Sequence, residues 1–139
     1  MPPEARDAAF LYDMLESARR AVEYCAGRSR EELESDSMFA DAVVRRIQII
    51  GEAVRGISDE FQAAHPEIEW PAIRATRHIL VHEYRRVNHD IVWRIVQDHL
   101  PPLIQQLDAI LAQTPPPPSP PEPPPPAPPG NASPDAKSQ

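Results

Sequence analysis

A chain of 139 residues with 41% hydrophobic content supplies one core and leaves no room for a second domain of ordinary size. The formal charge is −7, and apart from Glu122, Asp135 and Lys137 near the C-terminus the body holds 19 acidic and 13 basic residues. That sign excludes a broad phosphate-gripping surface, the lack of a long apolar run excludes a membrane-spanning helix, and the single Cys25 excludes an intramolecular disulfide.

Over 5–26, Phe10, Leu11, Met14, Leu15, Ala18, Ala21, Val22 and Cys25 recur at three- and four-residue steps, which predicts an amphipathic helix stopped at Gly27. Cys25 shares that register, so it reads as a small core residue. Ser29 and Glu32 have capping-box spacing, predicting a short helical turn over 30–35 before the chain restarts at Asp36 or Ser37. The next helix has the clearest pattern, with Phe39, Val43, Ile47, Ile50, Val54 and Ile57 on one stripe and Ala40, Val44 and Gly51 widening it.

Ser58 caps a predicted turn through Phe61 and Ala64 that His65 and Pro66 end, and a loop follows. Pro71 suits the first turn of a third long helix carrying Ile73, Ile79, Leu80 and Val81, which is expected to loosen over 83–86. Asn88 is placed to cap a last helix through Ile91, Val92, Ile95, Val96, Leu100, Leu103, Leu107 and Ile110, with a kink expected at Pro101 and Pro102. No strand pattern occurs. The expectation is an all-α domain, an antiparallel bundle of four to five helices over 1–113, followed by a disordered proline-rich tail over 114–139. The stripes of the second and fourth long helices are broad for a monomer, which points to a homodimer. The acidic N-terminus and the lone thiol point to a cytoplasmic protein with no signal peptide.

Residues 70–94 differ from the rest. Five arginines (Arg74, Arg77, Arg85, Arg86, Arg94) and three histidines (His78, His82, His89) stand there against only Glu83 and Asp90. Within this stretch Arg77, His82 and Tyr84 form an R-x-x-x-x-H-x-Y arrangement: a permanent cation, an imidazole that titrates near neutrality and a phenol. Metal-free RNA cleavage needs such a set, with a base to take the 2′-hydroxyl proton and a cation to meet charge growing on the phosphorane oxygens. Arg77 and His82 stand about 140° apart on an ideal helix, so their convergence requires a bend near His82, a long reach by the arginine, or a second copy of the segment. Taken singly, each of these residues has a plainer reading as a solvated or packing side chain. Trp70 and Trp93 read as core or interface anchors. His78 and His82 are four apart and could together chelate zinc, but no glutamate follows His78, spacing places no third ligand, and Arg77 is adjacent, so neither metal nor cofactor is expected.

At these residues the chain resembles the HepT-like toxins of the HEPN superfamily. The resemblance spans about 5–111 and rests on Arg77 and His78, the triplet His82, Glu83 and Tyr84, and 88–93 with Trp93. It implies a helical bundle, a homodimer whose two motifs meet at a cleft, and metal-independent endoribonuclease activity, with Arg77 and His82 as the catalytic pair. His78 becomes the supporting polar residue, at a position where many relatives have asparagine. The resemblance further implies a toxin of a type VII-like toxin–antitoxin system, neutralised when a minimal nucleotidyltransferase of the MntA type transfers AMP to the motif tyrosine, here Tyr84. RNA is the expected substrate, and neither DNA nor a membrane is expected as a partner. The alternative is a module that binds a nucleotide or the nucleotidyltransferase without cleaving RNA, a reading the acidic body favours.

Overall fold

Each periodic stretch is helical in the computed structural model, which describes residues 3–82, 87–113 and 123–127, the side chains of 77–82 excepted. Helix α1 spans Ala5–Cys25 and buries Leu11, Met14, Leu15, Ala18, Ala21 and Cys25, the expected stripe, with Phe10 and Val22 half-buried beside it. Gly27 ends the run with φ of 74°, a left-handed conformation that glycine adopts without a Cβ clash, and the chain turns back so that Arg28 N donates to the Cys25 carbonyl at 3.0 Å. Burial pushes the Cys25 thiol up to about 11, as expected of a core residue rather than a nucleophile.

Helix α2 is a single turn, Glu32–Ser35. Glu32 reaches back to accept from Ser29 N at 3.1 Å, the glutamate half of the predicted capping box. Leu33 is 1% exposed and ties the turn to the core. Asp36 caps α3, Ser37–Val54, by accepting from Phe39 N. Arg28 donates to Glu32 at 2.7 Å and Asp36 at 2.9 Å, and its guanidinium lies 3.9 Å from the Phe39 ring centroid. That cation holds both carboxyls below their ordinary range.

The expected α3 stripe is buried throughout, from Phe39 to Val54 and on to Ile57 beyond the helix end. Ser58 caps α4, Asp59–Ala64, by accepting from Phe61 N, and its own N–H and hydroxyl donate to the two carboxylate oxygens of Asp7 at 2.8 and 2.7 Å. Asp7 is only 6% exposed, so this pair satisfies a buried carboxylate and ties the start of α1 to the α3–α4 corner. At the same corner Gly56 lets the Phe10 ring approach to where a Cβ would stand only 2.4 Å from it.

The loop after α4 is more ordered in its packing than its polar sequence suggests. Ile68 is buried, and Trp70 is buried with its indole N–H on the His65 carbonyl at 2.9 Å, the core-anchor reading of that residue. Helix α5 spans Trp70–His82 with Pro71 in its first turn. Asn88 caps α6, His89–Arg94, accepting from Asp90 N at 3.0 Å and Ile91 N at 3.3 Å. A π-helical turn, Ile95–His99, then joins α6 directly to α7, Leu100–Leu111.

Around the expected irregularity at Pro101 and Pro102, the chain widens into a π-helical turn one turn ahead of them. Each proline lacks the N–H that would bond four residues back, and the Leu100 N–H bonds five back, to Ile95 O. Val92, Val96, Leu100, Leu103, Leu107 and Leu111 are all buried, so the wide turn keeps one stripe on the core across the prolines. Helix α1 packs against both α3 and α7, and α5 packs against α3. Among the described residues there is no strand, and the fold is an all-α bundle, as the periodicities predict. Among them no helix is long and apolar enough to cross a membrane. Of the predicted tail, 123–127 is exposed and without helix or strand, and the rest lies outside the described residues.

Candidate active site

Helix α5 places the motif. It remains helical through His82, so Arg77, His78 and His82 occupy its last two turns. At about 100° per residue, Arg74 and His78 fall inside the arc of about 140° between Arg77 and His82, whereas Glu69, Ala72, Ile73 and Thr76 fall outside it. Tyr84 and the expected loosening over 83–86 lie outside the described residues. Four residues therefore link the end of α5 to Val87, which packs half-buried against the core.

Two side-chain anchors hold the helices on either side of this link, and the sequence signals did not point to either. Upstream, Arg74 Nη2 donates to Gln62 Oε1 at 2.8 Å, and Gln62 Nε2 donates to the carbonyls of Val54 at 3.2 Å and Ile57 at 3.1 Å. One amide thus joins α5 to α4 and to the end of α3. Downstream, Arg30 Nε donates to Asp90 in the first turn of α6, and Arg30 Nη2 donates to Glu34 at 3.1 Å. His89 Nδ1 stands 3.8 Å from the same Glu34 carboxylate. The α2 turn, seated by Leu33, thereby grips the start of α6 just after the Asn88 cap.

A cavity among the described residues lies elsewhere. A cleft of about 400 Å³ opens between α3, α5 and the α6–α7 rod, with Ile47, Ile73 and Ile95 on its walls and Glu67, Glu69 and Asp98 at its rim. Among the described residues no lysine or arginine lines it, and Glu67 is held below the usual carboxylate range by its own backbone N–H and by the His65 ring. An acidic rim repels phosphate, and the cleft uses the side of α5 away from the motif arc. The basic arc, not the cavity, is the candidate site.

The Ribonuclease HepT-like family model matches residues 14–110, which takes in the bundle from mid-α1 to the end of α7 and stops short of the proline-rich stretch. The chain is 33% identical over 102 residues to a protein of Methanocaldococcus jannaschii named as a "putative RNase", covering 73% of this chain and 94% of that one. It is 34% identical over 102 residues to a "putative RNase" of Caldanaerobacter subterraneus subsp. tengcongensis, covering 73% and 91%. With the "probable ribonuclease HepT" of Thermococcus cleftensis it shares 32% identity over 94 residues, covering 68% and 86%. No solved structure matches the chain. The match spans the helical frame, the α5 arc and the anchors around it, and on that ground the chain belongs to the HepT-like ribonuclease family of the HEPN superfamily.

Proposed function

We propose that this chain is a metal-independent endoribonuclease that acts as a toxin. The observation that carries the reading is the family match across 14–110 together with the Arg77, His82 and Tyr84 set inside it. In the reaction, His82 takes the proton of a ribose 2′-hydroxyl and O2′ attacks the adjacent phosphorus. The bond to the 5′-oxygen breaks and that oxygen takes a proton from water as it leaves, giving a 2′,3′-cyclic phosphate and a 5′-hydroxyl, while His82 returns its proton to solvent. Arg77 binds the phosphoryl oxygens and stabilises the charge that grows on them, and His78 supports the pair as a polar neighbour. The chemistry needs no cofactor.

Convergence of Arg77 with His82 across their arc is part of the proposal, and a homodimer that brings two copies of the segment together is one way to reach it. The broad apolar stripes support the dimer, since Val44, Ile104 and Ile110 flank them only half-buried and Met38 is 82% exposed. Regulation follows from charge. AMP transferred to Tyr84 by a minimal nucleotidyltransferase antitoxin adds an anionic phosphate two residues from His82, where it competes with RNA for the arginines. The second reading, a non-cleaving nucleotide- or nucleotidyltransferase-binding module, draws support from the acidic body. Expression in a host cell separates the two: the ribonuclease arrests growth, loses that effect with His82→Ala and leaves RNA with cyclic phosphate ends, whereas the binding module gives intact RNA whatever stands at 82.

A further inference from the structure

We propose that Arg74, preset by Gln62, is an additional phosphate-binding residue that holds a phosphate of the RNA strand beside the scissile one. The inference rests on the ribonuclease reading above and adds to it a residue outside the R-x-x-x-x-H-x-Y set. It begins with the amide. Both neighbours of Gln62 Nε2 are carbonyl oxygens, Val54 O and Ile57 O, so the nitrogen must face them and Oε1 must point away, toward Arg74. One of those carbonyls ends α3, where helix geometry leaves acceptors without intrahelical donors. Gln62 thus bonds the Ile57 carbonyl and shares Val54 O with the Ile57 N–H, which reaches it at 3.2 Å, and so aims its own oxygen at the Arg74 guanidinium.

The choice of a neutral partner matters. Arg19, Arg20, Arg28 and Arg30 are each ordered by carboxylates, which cancel their charge locally. Arg74 is exposed, is ordered by an amide, and has no carboxylate partner among the described residues. It keeps its whole charge and, with one N–H on Gln62, retains donors for a phosphate in the paired geometry that guanidinium allows. Holding the side chain in advance lowers the ordering cost of binding. Its position completes the case: Arg74 lies within the arc bounded by Arg77 and His82, one turn before Arg77, on the side of α5 away from the acidic cleft.

The test measures binding of a fluorescent single-stranded RNA by the full chain across a salt series, with His82→Ala as background so that the probe survives. Arg74→Gln is expected to weaken binding and to lower the slope of log K against log salt by about 0.7, the change that follows when one fewer phosphate of a single strand is neutralised. Gln62→Ala is expected to weaken binding less and to keep the slope, because the charge remains. In the cleavage assay with His82 restored, the Arg74→Gln loss falls on KM rather than kcat, and Arg74→Lys recovers the slope but only part of the affinity. An unchanged slope and KM for Arg74→Gln at wild-type melting temperature, in a protein that still cleaves RNA, overturns this inference alone. A slope change in a protein that binds RNA without cleaving it keeps Arg74 as a phosphate-binding residue but removes the ribonuclease reading and with it the place beside a scissile phosphate.

Discussion

The seam between α1, α3 and α7 and the arc of α5 that carries the motif follow opposite rules. In the seam, Leu11, Met14, Val43, Ile47 and Leu107 are nearly or fully withdrawn from water, and the buried Asp7 carboxylate has its partners on Ser58. Along the arc the chain places arginine and histidine, and Arg74 is aimed by a neutral amide rather than neutralised by an acid. The difference teaches where each property resides. Stability comes from apolar burial in the frame, and on the proposed reading reactivity belongs to the cationic residues of the arc, of which Arg74 is held by an amide without a carboxylate.

Substitutions in the frame test that division with the largest effects. Leu11→Ala removes a fully buried side chain in the second turn of α1 and is expected to lower unfolding free energy by about 2–5 kcal/mol in a denaturant titration, with RNA cleavage per folded molecule unchanged. Asp7→Ala leaves the Ser58 N–H and hydroxyl without their acceptor in a half-buried corner, an expected loss of about 1–3 kcal/mol, and Asp7→Asn recovers part of it. A large activity loss in either variant at full folding would blur the boundary between frame and site.

Cys25 sharpens the same comparison through pH. Its thiol ionises at 9.0 in the open chain and is pushed up to about 11 by burial, so the fold disfavours the thiolate. Stability is unaffected below the lower value and falls as pH rises from there through the higher one. A melting series from neutral to alkaline pH is expected to show a steeper decline for wild type than for Cys25→Ala; equal slopes would place the thiol outside the core. The smallest effect is reserved for the tail: deletion of 115–139 is expected to leave the melting midpoint unchanged, and a fall of several degrees would make the tail part of the frame.

Most of the frame was legible because it is written in local code. The α1 and α3 stripes repeat every three or four residues, and Gly27, Ser58 and Asn88 mark helix ends with residues whose chemistry suits those positions. Leu33 and Ile68 escaped because one turn of helix and a loop are too short to display a period. The double proline signalled an irregularity but not the wide turn ahead of it, since a shift from four-back to five-back bonding leaves no periodic mark in the sequence. The anchors were out of reach for a related reason: Gln62 meets Arg74 across a turn, and Arg30 meets Asp90 from 60 positions away. Asp7 and Ser58 meet over 51 positions. The motif was read through resemblance, because three polar residues at a set spacing carry no periodicity to find, and the roles given to Arg77, His82 and Tyr84 belong to the proposal.

The division between frame and arc stands or falls most directly on RNA cleavage in EDTA by wild type, Arg77→Ala and His82→Ala, each followed by its melting temperature. The account predicts that wild type, shown by intact mass to be unmodified at Tyr84, yields 2′,3′-cyclic phosphate ends. Both variants should lose cleavage by at least about a hundredfold while melting within a degree or so of wild type. Cleavage that survives both substitutions, or that wild type shows only with added metal, would contradict it.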